Sequence, residues 1–437
     1  MSWGRRWWST ADWRSTDRRM GSMTRRSLRD DANQEAYRRL AGARPVLRDI
    51  RPAIEVVPRM TRDLVLTSGP LLRWSDYEGG QRRALIGGAL FEGLAADAAE
   101  AEAKLASGAI RIGACQDHDC IGSVAGIYTA SMPVFVIENE AFGNRAFSNM
   151  YEGQARKRLN YGSYDDEVKE RLDYINAAVA PVLGEAVRAS GGIELAPIIK
   201  RALHMGDELH SRNTAASLLF AVALFPALLD LPPALRNEVK RVTALLVEDN
   251  YFFLRLSMGA AKASAAAIAG IPHASVLSTM GLNCRSFGIQ VAGLDGWIEG
   301  PLPDPEAKLF EGHGKDEIAW LGGESIVTET VGLGGLAQAA AFPLFSYQGG
   351  EPLDMIARTE QMYAITIGEH PDYRIPVLKY RGTPTAIDIF RVVESGITPF
   401  LDIGIAGKGG VQIGAGVVQA PLPCFEAAVA RYNDHYG

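Results

Sequence analysis

From Asp165 to about Gly270 apolar residues recur at helical spacing, while short β-like runs on either side are punctuated by glycine. This change of period constrains the fold more than any other feature. Val168, Leu172, Ile175, Val179 and Val182 share one stripe that ends at Gly191-Gly192, and a Pro232-Pro233 break follows Leu231 before further helices. The chain has 437 residues, and single cores stop growing at roughly 250–300. The expected architecture is therefore mixed α/β and multidomain: a leader over 1–30, an α/β domain over 31–164, a helical domain over 165–270 and a glycine-rich α/β domain over 271–437.

In the first α/β part, Ser75-Asp-Tyr-Glu78 has the capping-box arrangement and opens an alanine-rich pattern to about Ala106, read as one helix. The strand-like Ala109–Ala114 precedes a polar loop, Cys115–Cys120, and the strand-like Met132–Ile137 follows. A sheet whose polar loop faces a cleft is the expected outcome. In the last part, strands are expected at Ser275–Thr279, Phe287–Val291, Ile375–Tyr380 and Ile397–Ile405. Thr383-Pro384 reads as an N-cap with proline at the first helical position, and Gly396 ends that helix.

Composition narrows the function classes. A formal charge of −6 supplies no field for a phosphate backbone, which argues against a nucleic-acid partner. No run of 18 apolar residues suggests a membrane span. Cys115, Cys120, Cys284 and Cys424 are too few and too scattered for a disulfide scaffold, so a reducing cytoplasm is expected. The leader carries many arginines and four tryptophans with no signal-peptide core, and reads as a flexible extension or a matter of start-codon choice.

Four segments gather residues that carry chemistry. Cys115-Gln-Asp-His-Asp-Cys120 packs thiols, carboxylates and an imidazole into six residues. Asp117, His118 and Asp119 are candidate catalytic groups or ligands of a divalent metal, and Cys115 or Cys120 beside His118 is a candidate nucleophile, although neither spacing matches a strong signature; the alternative is a polar turn with two half-buried cysteines. In His204-Met-Gly-Asp-Glu-Leu-His210-Ser-Arg-Asn213, helical spacing would pair Asp207 with His210 and His204 with Glu208, and Arg212 and Asn213 add donors for a carboxylate or carbamoyl group. The alternative is a charged turn between helices.

Glu324, Thr328, Glu329, Thr330, Gly334 and Gly335 lie where a strand should pass into a helix, so free backbone N–H groups there would hold an anion. Gly404–Gly416 is a second glycine-rich loop, with Lys408 and Gln412 as binding groups and no P-loop pattern. Either loop could instead be a tight turn. Asn283 and Arg285 after one strand, and Asn139 and Asn144 after another, complete the candidate binding residues. Glu152 lies near the latter pair.

Taken together, Gly122-Ser-Val-Ala-Gly126, Glu138-Asn139 with Gly143-Asn144-Arg145, Met205-Gly-Asp-Glu208 with His210 and Arg212-Asn213, Gly323-Glu-Ser325 with Thr328-Glu-Thr330, and Gln412-Ile-Gly-Ala-Gly416 resemble the YlbE-like family over about residues 45–425. That family includes a subunit of oxamate carbamoyltransferase from allantoin degradation. The resemblance implies an α/β, helical, α/β order and carbamoyl chemistry, in which oxalurate and phosphate become oxamate and carbamoyl phosphate. It also implies several different subunits, one of them related to acyl-CoA synthetases.

Two readings follow. In one, the chain is a carbamoyl- or amide-processing enzyme for a small anionic ureido acid, with phosphate as co-substrate or with water. Glycine N–H groups and Arg285 or Lys408 would hold the acid, and Asp117, His118 and Glu329 would move protons. In the other, it is an acid-binding subunit whose site is completed by a partner chain. A homo-oligomer is expected in either case.

Overall fold

The computed structural model describes residues 10–437 apart from 151, 154 and 306, with side chains from Arg26 onward. Residues 1–9 of the expected leader lie outside the described residues, and a helix runs over Thr10–Ala41. The class is mixed α/β, as expected. Among the described residues no helix is long and apolar enough to cross a membrane. All four cysteines are buried free thiols.

The largest sheet has five strands in the order Cys120–Ile121, Arg145–Asn149, Pro133–Asn139, Pro45–Pro52 and Ile193–Glu194. Its pairings are antiparallel except for the first, where Cys120 aligns with Phe147. Leu64–Thr67 and Arg111–Ala114 form a separate parallel pair. The helices Gly79–Phe91 and Ala98–Ser107 make the crossover between them. The expected single helix to Ala106 is thus two, parted at Gly93, which is left-handed at φ 73°. Ser75 does not cap it, because a short 3-10 turn occupies Trp74–Asp76 and Glu78 is ion-paired with Arg285 at 3.0 Å.

The helical stripe holds. Val168, Leu172, Ile175, Val179 and Val182 are all buried in one helix from Asp166 to Ala189, which accommodates a π turn at Ile175–Val179. Asp165 starts it by accepting a hydrogen bond from the Val168 N–H. The core of this helical segment is continuous with Leu47, Ile50, Phe135 and Ile137 of the large sheet and with Val327, Val331 and Ile375 farther on.

The helix Leu254–Ala266 lies at the centre, with every residue from Leu254 to Ala265 buried, Arg255 and Lys262 among them. Its small residues let other elements approach closely. A Cβ on Gly259, for instance, would meet Ile137 at 2.1 Å.

The last third carries two antiparallel sheets and a hairpin. Leu277–Leu282, Phe287–Val291 and Ile298–Gly300 form the first sheet. Ala307–Leu309, Gln412–Gln419, Phe400–Gly407 and Ile318–Ala319 form the second in that order. Thr366–Ile375 pairs with Arg381–Ile387 as the hairpin. Thr383-Pro384 therefore lies in a strand and not at a helix start, a place where proline is tolerated because the strand has a partner on one side. The helix starts at Ile389, capped by Asp388, whose side chain accepts from the Phe390 N–H. The expected strand Ile375–Tyr380 is a turn beyond Ile375, because Lys379 and Tyr380 are both left-handed and reverse the chain.

Candidate functional site

A cavity opens where distant segments converge. The turn Leu159–Tyr161, the loop at His210 and Ser211, the start of the central helix, the stretch 318–326 and the inner strands Phe400–Gly407 and Gln412–Gln419 all line it. Its volume is about 90 Å³, and one water needs only about 10–15 Å³. An occupant of several heavy atoms fits.

Arg158 and Arg255 both line this cavity. Arg158 rides over the Tyr161 ring at 4.5 Å and points an Nη at the Gln412 carbonyl at 3.5 Å. The Gln412 amide donates to Tyr347 Oη at 2.8 Å, while Tyr161 donates to Gln412 Oε1 at 3.2 Å. Burial raises the pKa of both phenols, which keeps them neutral. Glu152 fixes the turn that carries Arg158, accepting from the Leu159 and Asn160 N–H groups at 2.6 and 3.0 Å and from the Asn160 amide. The cavity thus presents two guanidinium groups, which stay charged in a protein interior and match a carboxylate in shape.

His210 belongs to the same wall, with Nδ1 2.9 Å from Glu329 Oε1. Burial opposes a charge on this imidazole, but Glu329 and Asp402 beside it outweigh burial and raise its pKa. Glu329 is fully buried and receives three further hydrogen bonds, from Thr328 Oγ1 at 2.7 Å and from the Asp402 and Gly335 N–H groups at 2.9 and 3.1 Å. Asp402 accepts from the amides of Gln338 and Gln348 at 2.8 and 3.1 Å. Glu208 accepts the Ser211 and Arg212 N–H groups, and burial together with the charge of Asp402 holds its pKa well above the usual carboxylate range.

Several sequence candidates are placed elsewhere. Asp117, His118 and Asp119 do not line the cavity. The loop is a 3-10 turn closed by a left-handed Asp119, and His118 Nδ1 lies 2.7 Å from the Pro58 carbonyl. The reason is topological: Pro133–Asn139 joins the five-stranded sheet, so the loop does not sit at the cleft edge of one common sheet. Gln116 takes the inward position instead, accepting from Lys262 Nζ.

Asn139 and Asn144 both donate to the Ala263 carbonyl and tie the strand turn to the central helix. Asn283 accepts from Arg285 N and Ser286 N as a turn former, and Arg285 reaches Glu78. The Lys408 backbone closes the hairpin end by donating to the Glu317 carbonyl.

Residues 205–213 form a loop between the helices Leu195–His204 and Thr214–Leu229, so the expected helical pairing of His204 with Glu208 is not made. His204 stacks edge-on to Tyr380. Asp207 pairs with Arg212 and accepts the Ala216 N–H at 2.8 Å, and burial pushes its pKa up to about 6. The Asn213 amide donates to the His210 carbonyl at 2.8 Å.

The expected anion cradle is already filled by a carboxyl group of the chain itself. Gly335 N–H donates to Glu329, and Gly334 N–H donates to the Glu208 carbonyl at 2.8 Å. Val327–Thr330 is a single helical turn, with the Thr330 hydroxyl turned onto the Val327 carbonyl. Glu324 likewise clamps the chain, accepting the Gly69 and Gly122 N–H groups at 2.9 and 2.8 Å.

Of the candidates, His210, Gln412 and, through His210, Glu329 meet at the cavity. Arg158, Arg255, Tyr161, Tyr347 and Asp402 were not among them. Two of these carry a readable signal: Arg255 is one of two charges, with Lys262, in an otherwise small and apolar helix, and Asp402 interrupts the apolar run Phe400–Ile405.

The family described as oxamate carbamoyltransferase subunit AllG matches residues 110–325. The Escherichia coli (strain K12) protein of that name is 36% identical over 412 residues, which cover 93% of this chain and 98% of the relative. The protein YahG of the same organism is 38% identical over 409 residues, 93% of this chain and 86% of the relative. Among solved structures, a conserved protein of unknown function from Enterococcus faecalis V583 superposes with a TM-score of 0.90 at 36% identity, covering 94% of this chain and 98% of that one.

Proposed function

Because the chain belongs to the family of the oxamate carbamoyltransferase subunit AllG, we propose that its cavity binds a small ureido or amide acid of the oxalurate kind and serves movement of the carbamoyl group. The observation that supports this reading is the presence of Arg158 and Arg255 on the wall that also carries His210. Two guanidinium groups suit the carboxylate of such an acid, and Gln412 with Tyr161 offers neutral partners for its amide groups. In transfer to phosphate, the bond from the carbamoyl carbon to the amide nitrogen breaks. A phosphate oxygen bonds to that carbon, and the departing nitrogen takes a proton. In hydrolysis, water replaces phosphate. Either route builds negative charge on the carbamoyl oxygen, which fixed donors lining the cavity stabilise.

Calorimetric titration with oxamate, oxalurate and the uncharged oxamide tests the reading. The acids are expected to bind at least about tenfold more tightly than oxamide, since a charge-assisted pair contributes about 1.5–3 kcal/mol. Equal affinities would contradict it. A second reading, that the site works only beside a partner chain such as an acyl-CoA-synthetase-like subunit, is favoured because the Escherichia coli relative is named a subunit. On that reading the purified chain binds the acids but yields carbamoyl phosphate from oxalurate and phosphate only when the partner is added.

A further inference from the structure

We propose that His210, Glu329 and Asp402 form a divalent-metal site behind the stretch of cavity wall that His210 lines. The role of such an ion rests on the reading of the cavity given above, but its binding does not. Each residue offers one ligand atom, and these atoms lie within 4.8 Å of one another. An ion with bonds of about 2.0–2.2 Å holds its donors at most about 4.4 Å apart. Small side-chain shifts therefore close the site, with the ion entering where His210 Nδ1 now meets Glu329.

A second observation points to a ligand. Asp402 is fully buried: its Oδ1 receives two glutamine amides, no N–H or hydroxyl donates to Oδ2, and the buried carboxyl of Glu208 lies within hydrogen-bond reach of it. Two carboxyl groups facing each other in a buried site are costly unless a proton or a cation lies between them, and a cation serves the nearby Glu329 as well. The charge balance agrees. Glu329 and Asp402 lie against one imidazole and Glu208 lies against Asp402, while Arg212 is engaged by Asp207 and Arg358 reaches Gln338. One nitrogen and two carboxylate oxygens suit Zn²⁺, Mn²⁺ or Co²⁺ better than Ca²⁺. Such an ion would act as a Lewis acid on the carbamoyl carbonyl.

The test uses the full chain after chelator treatment, titrated with Mn²⁺ and Zn²⁺ in a calorimeter and followed by thermal melting. One ion per chain is expected to bind at micromolar concentration or below, to raise Tm and to release protons. Asp402→Asn keeps a carbonyl oxygen for the two glutamine amides, so it should fold. It is expected to weaken metal binding at least about 100-fold, and His210→Gln should do the same. Absence of binding at millimolar metal would overturn the proposal and leave the acids sharing a proton. Unchanged binding in both variants would place the metal elsewhere and overturn it equally. Oxamate titration of the metal-free chain keeps the two readings apart: loss of oxamate binding with metal binding intact counts against the cavity reading alone.

Discussion

Glu324 is buried and held by two backbone N–H groups, with Lys262 nearby, yet burial outweighs these and pushes its pKa up to about 7 from 4.5. The unfolded chain releases this proton first, so folding favours the protonated acid. The stability it contributes is present below about 4.5 and is lost as pH rises through about 7. Relative to Glu324→Gln, the wild-type chain is expected to lose about 2–3 kcal/mol between pH 5 and pH 8, measured by urea unfolding. A pH-independent difference would show that the group is not perturbed.

Gly334 offers a second residue-scale test. It is left-handed at φ 58°, and an added Cβ would lie 2.5 Å from Glu329 Oε1. Gly334→Ala should cost at least about 2 kcal/mol, combining backbone strain with a displaced buried carboxylate. A shift in urea midpoint within error would mean that the loop yields freely. Residue types at this scale were readable in the sequence. Which anion the glycines serve was not, because the occupant is a side chain from within the same segment.

Among elements, those governed by local period were legible. The stripe from Val168 to Val182 follows from spacing alone, and the strand Phe287–Val291 has the expected bounds. Thr383-Pro384 misled because local cap chemistry favours a helix start, whereas pairing with Thr366–Ile375 imposes a strand. The true cap, Asp388, also accepts from Ser275 Oγ at 2.7 Å. Asp388→Ala is therefore expected to destabilise by about 1–2 kcal/mol. Thr383→Val should be neutral or stabilising, because the buried Thr383 hydroxyl has no partner. Thermal melts of the two variants decide, and the reverse ranking would restore the local reading. The loop 205–213 shows the same limit: helical spacing paired His204 with Glu208, but the helix ends at His204 and Glu208 turns to the backbone that follows it.

At the scale of the whole molecule the cavity is a product of tertiary assembly. Arg158, His210, Arg255 and Gln412 are far apart in the chain, and no spacing rule joins them. The central helix explains why they meet: its small residues pack against the large sheet, and its first turn delivers Arg255 beside the turn held by Glu152.

The sequence suggested a different pair of cations, Arg285 and Lys408. Arg285 contacts Glu78 and Asp76 outside the cavity. Calorimetric titration of oxamate into the wild-type chain, Arg158→Gln and Arg285→Gln compares the two choices directly. Arg158→Gln is expected to weaken binding about 10- to 100-fold with little change in Tm, while Arg285→Gln leaves it unchanged. Retained binding in Arg158→Gln together with loss in Arg285→Gln would contradict the assignment of the cavity as the acid-binding site.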